Sequence, residues 1–302
     1  MRKNIIAAGL AIALTLSLVG CSQDSSTETV APDSTNSANT TKPTTSTKPA
    51  EQNSFKETVL VDNEDILFKI TAIKNDPVWG YTLKAQIENR TDKDLMFALD
   101  DTSVNGYMCD PFFAATVTAG MRANKDISFD ADSFRTIGIT DVTDVTFQLQ
   151  VYDSNNISAE KVFEENLAVY PKGKDAAKEY PRAEQESDII LFDDENCTMI
   201  VTGFSSGTIW GYSANVYLVN KTDETLMFSV GDAAINGFMC DPFFATTVAP
   251  GKQCITSINW TKDALKENDI TQVEKITLPI RVYEAADWLG DDLINKTFTL
   301  NP

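Results

Sequence analysis

Apolar and polar residues alternate along most of the chain after residue 55. Between residues 145 and 151, Val, Phe, Leu and Val alternate with Thr and Gln, and residues 276–282 repeat the pattern. A period of two is typical of strands that bury one face. Similar runs lie near residues 66–73, 81–87, 95–99, 104–108, 125–129, 162–169 and 212–218. The pattern therefore predicts an all-β protein.

Two long segments of the chain are alike. Residues 59–171 align with residues 190–302 at a constant offset of 131 positions, without a gap, and about 30% of the pairs are identical. The longest shared block pairs NGYMCDPFFA at residues 105–114 with NGFMCDPFFA at residues 236–245. Such self-similarity indicates a tandem duplication. About seven short strands in each copy predict two tandem antiparallel β-sandwiches of the immunoglobulin type.

A loose set of shared positions extends this interpretation. Each copy has an Asn-x-x-Asp turn, Asn89 and Asp92 in copy one, followed by a Leu-Met-Phe strand, a glycine at Gly120 and a late Val-Tyr strand. This arrangement resembles an uncharacterised immunoglobulin-like domain of exported lipoproteins from Gram-positive bacteria. The resemblance implies a fold and an exported location, and it brings no catalytic residues with it.

The N-terminus has the features of an export signal. Arg2 and Lys3 precede an apolar run at residues 5–19, which is short for a membrane span. The run ends in Leu-Val-Gly before Cys21, which resembles the lipobox of bacterial lipoproteins. The resemblance implies cleavage before Cys21 and attachment of diacylglycerol and fatty acyl chains such as palmitate to that cysteine. Two or more acyl chains give stable membrane anchoring.

The segment after the lipobox is low in complexity. Residues 22–54 contain about 15 Ser or Thr and no aromatic residue. Such a composition cannot bury enough apolar surface to fold, so we expect a disordered tether. The predicted organisation is a signal peptide at 1–20, a lipid-anchored disordered linker at 21–54, an immunoglobulin-like domain at 55–171, a charged linker at 172–188 and a second such domain at 189–302.

Two local features refine the strand prediction. Residues 132–139 and 263–270 begin with Asp at a helix-capping position, which predicts one helical turn between two strands in each copy. Pro279 lies on the outward side of its predicted strand, and proline cannot donate to a ladder. We therefore expect that strand to lie at a sheet edge or to be bulged at Pro279.

Composition excludes several function classes. The chain has no histidine, a formal net charge of −19 and a pI near 4.3. Without imidazole, Ser-His-Asp and Cys-His nucleophiles, HExxH zinc sites and 2-His-1-carboxylate iron sites are excluded. The negative charge argues against nucleic acid as a partner. Acidic clusters lack calcium-loop spacing, so we predict no metal ligand, no cofactor and no catalytic residue.

The shared block is the main candidate site, and two interpretations of it are open. Its turn signals Asn-Gly and Asp-Pro favour a loop that presents side chains to a ligand. Those candidate ligand contacts are Tyr107, Asp110, Phe112, Phe113, Phe238, Asp241, Phe243 and Phe244. Alternatively, Met108, Phe112 and Phe113 fill the end of the sandwich and Asp110 caps the turn. Trp79 and Trp210 are either exposed aromatic platforms or parts of the core.

Cysteine positions give one further expectation. Cys197 and Cys254 occur only in copy two, where copy one has Ile66 and Ala123. Their joint gain in an exported protein favours a disulfide between them, and the alternative is two small buried hydrophobic residues. Cys109 and Cys240 occupy equivalent positions, and we expect both to be buried free thiols.

The sequence favours a non-enzymatic protein anchored by lipid at the outer face of the cell membrane. Its two domains are expected to bind a protein, a peptide or a cell-wall component, or to serve a structural role. One alternative is an accessory lipoprotein that binds a small ligand. A second alternative is a hydrolase that uses carboxylates alone, which requires two carboxylates in a cleft, one with a raised pKa.

Overall fold

Strands dominate both copies of the repeat. A computed structural model describes residues 55–76, 80–208 and 211–302, and this part of the chain is all-β, which confirms the predicted fold class. Copy one contains β1 (Thr58–Asp62), β2 (Ile66–Asp76), β3 (Gly80–Asn89), β4 (Leu95–Val104), β5 (Tyr107–Met108), β6 (Ala114–Val117), β7 (Arg122–Phe129), α1 (Ala131–Ile137), β8 (Val145–Asp153) and β9 (Phe163–Val169).

Copy two follows the same order of elements, except that the strand equivalent to β4 is divided in two. It contains β10 (Ile189–Asp193), β11 (Cys197–Thr208), β12 (Gly211–Asn220), β13 (Leu226–Val230), β14 (Ala234–Ile235), β15 (Phe238–Met239), β16 (Ala245–Val248), β17 (Gln253–Trp260), α2 (Lys262–Glu267), β18 (Ile276–Glu284) and β19 (Ile294–Leu300).

Each copy packs two layers of strands around its own core. In copy one, the layer β1-β2-β3-β7 faces the layer formed by β5, β4, β8, β9 and β6. Phe68 of the first layer is fully buried against Phe97 and Phe147 of the second, with ring centroids 6.4 and 6.2 Å away. In copy two, β10-β11-β12-β17 faces β15-β14-β18-β13-β16 and β19. The period-two alternation supplies the inward side chains of all four layers.

One sheet runs through both copies. β5 of copy one pairs in parallel with β17 of copy two, with Tyr107 opposite Gln253. The backbone N–H of Gln253 donates to the carbonyl oxygen of Gly106 at 3.0 Å. The second layer of copy one and the first layer of copy two therefore form a single nine-stranded sheet. The two sandwiches share a backbone-bonded junction.

A short helix connects the two layers of each copy, as predicted, but its capping residue lies two positions before the predicted Asp132 and Asp263. The Asp130 side chain caps α1 by accepting the Ser133 N–H at 3.0 Å. In α2 the cap is the Thr261 hydroxyl, which accepts the Ala264 N–H at 3.1 Å. The helices carry the chain from the first layer to the second.

Pro279 does not lie in an edge strand, so the edge alternative is wrong. The pairing opposite Pro279 is irregular, with residues 231–233 facing residues 278 and 279, which agrees with the bulge alternative. β18 is internal, with β19 on one side and β13 and β14 on the other. Pro279 is opposite Thr297 of β19, and on the other side it falls between the end of β13 and the start of β14. The partner strand is interrupted where proline lacks an N–H, so an internal strand tolerates it.

The predicted charged linker is ordered against copy two. It contains a 3-10 turn at Lys174–Ala176, and Arg182 donates two hydrogen bonds of 2.7 Å to Asp188. The guanidinium of Arg182 lies 5.5 Å from the centroid of the Tyr217 ring. The linker therefore packs on the sheet near the junction.

The predicted signal peptide, Cys21 and the predicted tether lie outside the described residues, as do Trp79 and Trp210. The predicted domain boundaries stay predictions. Within the described part of the chain, no helix has the length and apolar character needed to cross a bilayer.

Candidate functional site

The Asn-Gly turn that opens the shared block has a structural role in both copies. Asn105 adopts φ 51°, and its side-chain amide donates to the carbonyl oxygen of Asp141 at 2.6 Å and accepts the Thr143 N–H at 2.8 Å. Asn236 has φ 52° and donates equivalently to the carbonyl oxygen of Gln272 at 2.7 Å. These bonds fix the block against the loop that follows the helix. They explain the presence of Asn in both copies without a ligand.

The next aromatic position differs between the copies. Tyr107 is only 4% exposed because β5 is covered by β17, whereas the equivalent Phe238 is 51% exposed. Tyr107 is therefore not available to a ligand, and its prediction as a ligand contact is wrong. Met239, which follows Phe238, is also exposed. The junction between the copies therefore buries this aromatic position in copy one, whereas copy two leaves it exposed.

In each Asp-Pro-Phe-Phe segment, the first phenylalanine is exposed to solvent and the second packs against the core. Phe112 is 79% exposed and Phe243 is 71% exposed. Their backbones are held in place, because Phe112 N–H donates to Ser128 O and Phe243 N–H donates to Asn259 O, each at 2.7 Å.

The second phenylalanine of each pair turns inward. Phe113 meets Phe68 edge-on with ring centroids 6.3 Å apart, and Phe244 packs against the core of copy two. The core-filling interpretation is thus right for Phe113 and Phe244. It is wrong for Phe112 and Phe243, which the same loop position presents to solvent in both copies.

The two aspartates of the block have different environments. Asp241 accepts the Ala233 N–H at 2.9 Å, whereas the capping role was predicted for the equivalent Asp110. Asp110 lines a cleft of about 470 Å³ at the junction, with Cys109 and Met108 of copy one and Cys254 of copy two. Partial burial, and then the nearby charge of Asp100, raise the pKa of Asp110.

Two further carboxylates, those of Asp130 and Asp132, line the same cleft. Asp130 caps α1, and the Asp132 carboxylate binds the Arg135 guanidinium at 2.6 Å. Both carboxylates beside Asp110 therefore also take part in structural contacts.

The predicted Cys197–Cys254 disulfide is contradicted by the strand order. Cys197 of β11 is opposite Asn220, and Cys254 of β17 is opposite Leu218, so β12 separates the two thiols. Strands two apart are about 9–10 Å apart, and a disulfide needs Cα atoms within about 7 Å. Both thiols are free and buried, and so are Cys109 and Cys240, as expected for that pair. Burial is the main cause that raises the pKa of Cys197 and Cys254 to about 12.

A second type of cleft occurs at the same place in both copies, and the sequence did not reveal it. The cleft beside α1 has a volume of about 550 Å³, and the cleft beside α2 has a volume of about 610 Å³. Equivalent residues line them, namely Gly80 and Gly211, Tyr81 and Tyr212, Phe134 and Leu265, Arg135 and Lys266, Ile139 and Ile270, and Val142 and Val273. The available signal was the identity of the Gly-Tyr and Ile-Thr-x-Val positions in the two copies.

The acidic clusters are used in surface ion pairs. Asp62 binds Arg90 at 2.8 Å, and the equivalent Asp193 binds Lys221 at 2.6 Å. Across the described ranges, no group of three or more Asp, Glu or Cys side chains is arranged to hold a metal ion. No protein-family model matches the chain, and no curated protein matches it.

Proposed function

We propose that the chain is a lipid-anchored extracytoplasmic binding protein without enzymatic activity. In this proposal, Cys21 carries the acyl chains and the Ser/Thr-rich segment holds the two duplicated sandwiches away from the outer face of the membrane. The export-type apolar run and the Leu-Val-Gly-Cys sequence support the location. The partner is a protein, a peptide or a cell-wall component.

One observation carries the binding role, namely the exposure of Phe112 and Phe243 at the same position of both copies. A backbone hydrogen bond to the neighbouring strand fixes the backbone of each phenylalanine, so each ring lies outside its sandwich. Aromatic residues, including Phe, are enriched in protein interfaces, where they bury a large apolar area. Two such rings on one chain allow a partner to be held at two points, which strengthens weak contacts.

A capture experiment with the full-length chain on intact cells tests this role. The wild-type chain and a Phe112→Ala, Phe243→Ala variant are cross-linked to their surroundings and also incubated with purified insoluble cell wall. Exposed residues contribute little to stability, so both chains are expected to fold. We expect the double variant to lose the captured partner or to sediment less with the wall.

A matched control uses the other equivalent pair of exposed apolar residues. Ile157 and Trp288 are 131 positions apart, like the phenylalanines, and are exposed in the loops before β9 and β19. An Ile157→Ala, Trp288→Ala variant should retain the partner. Equal capture by all three chains, or equal loss from both variants, would contradict a binding role for Phe112 and Phe243.

The paired clefts beside α1 and α2 favour a small-ligand role as the second candidate. Their volumes lie within the range of small-molecule sites. Each combines a tyrosine and aliphatic side chains with two cations, which suits an amphiphilic carboxylate; they are Arg135 and Lys172 in copy one, and Lys262 and Lys266 in copy two. Ligand-detected NMR with a set of such carboxylates should show binding that an Arg135→Ala, Lys266→Ala variant loses. No binding by the wild-type chain would exclude this candidate.

A further inference from the structure

The junction between the two copies has two parts. The first is the short strand β5, which begins at the buried Tyr107, and the second is the outer edge of β17 at Gln253. The Gln253 side chain also takes part, because it donates to Tyr180 O at 3.0 Å and accepts the Tyr217 hydroxyl at 2.6 Å. A strand end of one copy thus docks on a sheet edge of the next.

The equivalents of both strands, β15 and β7, have no strand paired on their outer sides within the described chain. β15, the equivalent of β5, is the last strand of its sheet, and both of its residues are exposed. β7, the equivalent of β17, is likewise the last strand of its sheet. In β7 the positions of Arg122 and residues 124–126 are exposed, whereas the equivalent positions in β17 are partly buried.

The backbone of β7 is oriented for the same pairing. Arg122 of β7 is opposite Glu88 of β3, and Gln253 of β17 is opposite Val219 of β12. These pairs are equivalent, so the two strands have the same register. The next residue of the inner strand bonds equivalently in both copies. The N–H of Asn89 donates to Met121 O, and the N–H of Asn220 donates to Lys252 O, each at 2.9 Å. In this register the N–H of Gln253 points away from β12 towards β5, so the N–H of Arg122 points away from β3. Outward donors on an edge strand are a template for pairing with another chain.

Charged and apolar side chains lie near both uncovered surfaces. The internal junction brings Lys252 close enough to Asp144 to oppose the rise in its pKa that burial causes. This charge pair is not repeated at the uncovered ends, where the equivalent residues are Lys275 and Met121. At the uncovered ends, exposed Asp232 and Asp241 flank β14 and β15.

The opposite edge carries both charges. Exposed Arg122, Lys125 and Asp126 lie on β7, and Arg122 binds Glu88 at 3.0 Å. Exposed Met121 precedes the strand, and it gives Phe238 and Met239 an apolar side chain to dock against.

We propose that β15 of one molecule docks in parallel on β7 of a second copy of this chain, with Phe238 opposite Arg122. This repeats between molecules the pairing of Tyr107 with Gln253. The two surfaces are different and lie in different copies of the repeat, so the contact is head-to-tail and links several molecules into a ring or an open chain. The inference is independent of the proposed role of Phe112 and Phe243.

Engineered cysteines in the full-length chain test the pairing. Opposed Cα atoms of paired strands lie within disulfide reach. An Arg122→Cys, Phe238→Cys chain is oxidised with copper phenanthroline and separated without reductant. We expect a ladder whose steps equal one chain mass. A mixture of the two single variants should stop at the dimer, because each molecule then offers one half of the contact.

Three controls make the outcome specific. The parent chain reports the background from native thiols, and the four described ones are buried. A Tyr107→Cys, Gln253→Cys chain should form the bond within one molecule, which shows that the register supports a disulfide. An Arg122→Cys, Ile157→Cys chain has an equally exposed second cysteine outside the proposed contact and should stay at background.

A fourth variant distinguishes disulfides that form through strand pairing from those that form when two molecules collide at random. Met239→Asp, added to the Arg122→Cys, Phe238→Cys chain, should abolish the ladder because it places a buried charge in the contact. The proposal is overturned if the intramolecular control closes while the test pair stays at background, or if the Ile157 pair gives an equal ladder.

Discussion

Tyr107 and Phe238 occupy equivalent positions in the two copies, yet Tyr107 is buried and Phe238 is exposed. The difference arises outside each sandwich, because β17 covers Tyr107 and β15 has no strand on its outer side within the described chain. The same sequence motif therefore closes a junction in copy one and forms a surface in copy two. A shared motif after duplication need not keep one role.

Asn220 is expected to be essential for the stability of copy two. Its buried amide donates to Glu224 O and Val248 O, each at 2.7 Å, and accepts the Thr222 N–H at 2.9 Å. Asn220→Ala leaves these buried groups without partners, and we expect it to lower the free energy of unfolding by about 3 kcal/mol in urea titrations. The exposed Asn155→Ala should change it by about 0.5 kcal/mol or less. Equal effects of both substitutions would show that the amide network contributes nothing.

Gly80 is required by a close approach as well as by its backbone angle. A Cβ at this position would lie 2.1 Å from Phe129 O, and φ is 74°. Gly80→Ala should therefore destabilise the chain by about 3 kcal/mol or more. Gly120 has φ 70°, but no heavy atom of the described residues beyond its chain neighbours lies within 4 Å of a Cβ there. Gly120→Ala should then cost only about 1 kcal/mol. Thermal unfolding of the two variants distinguishes them, and similar losses would contradict the packing at Gly80.

Alkaline pH should destabilise the fold partly through its buried thiols. Burial raises the pKa of Cys254 from 9.0 to about 12, so between these values the folded chain holds a proton that the unfolded chain releases. The free energy of unfolding therefore falls as pH rises through this window. Cys254→Ala, which restores the residue that copy one has at Ala123, should show a shallower fall in urea midpoint between pH 8 and pH 11. Parallel pH profiles for the two chains would contradict a buried thiol.

The lipid anchor is tested by its cysteine. Cys21→Ala removes the acceptor of the acyl chains, and we expect the variant to leave the membrane fraction for the medium or the soluble extract. Fractionation with immunoblotting measures the shift, and Ser22→Ala serves as the adjacent control. Retention of Cys21→Ala at the wild-type level would refute the anchor.

Local patterns predicted the strands well, because alternation along residues 145–151 depends only on which side chains face the core. The inward Phe113 was also among the open interpretations. The sequence left an edge strand and a bulge as alternatives at Pro279, because the gap between β13 and β14 that lies opposite Pro279 belongs to another segment.

The errors at the candidate site have a common cause. The joint gain of Cys197 and Cys254 suggested contact, but β12 runs between them. Tyr107 looked like a ligand residue because its covering strand lies about 146 positions further along the chain, at Gln253. Alternation predicts which face of a strand is buried, but it carries no information on which strands are neighbours.

The junction is tested most directly by amide hydrogen exchange of Gln253 and Arg122, measured by NMR on a dilute sample of the full-length chain. These N–H groups have equivalent registers, but only that of Gln253 meets a carbonyl oxygen across the junction, at Gly106. Exchange requires that hydrogen bond to open. We predict strong protection at Gln253 and fast exchange at Arg122. Equally fast exchange at both positions would contradict the continuous sheet.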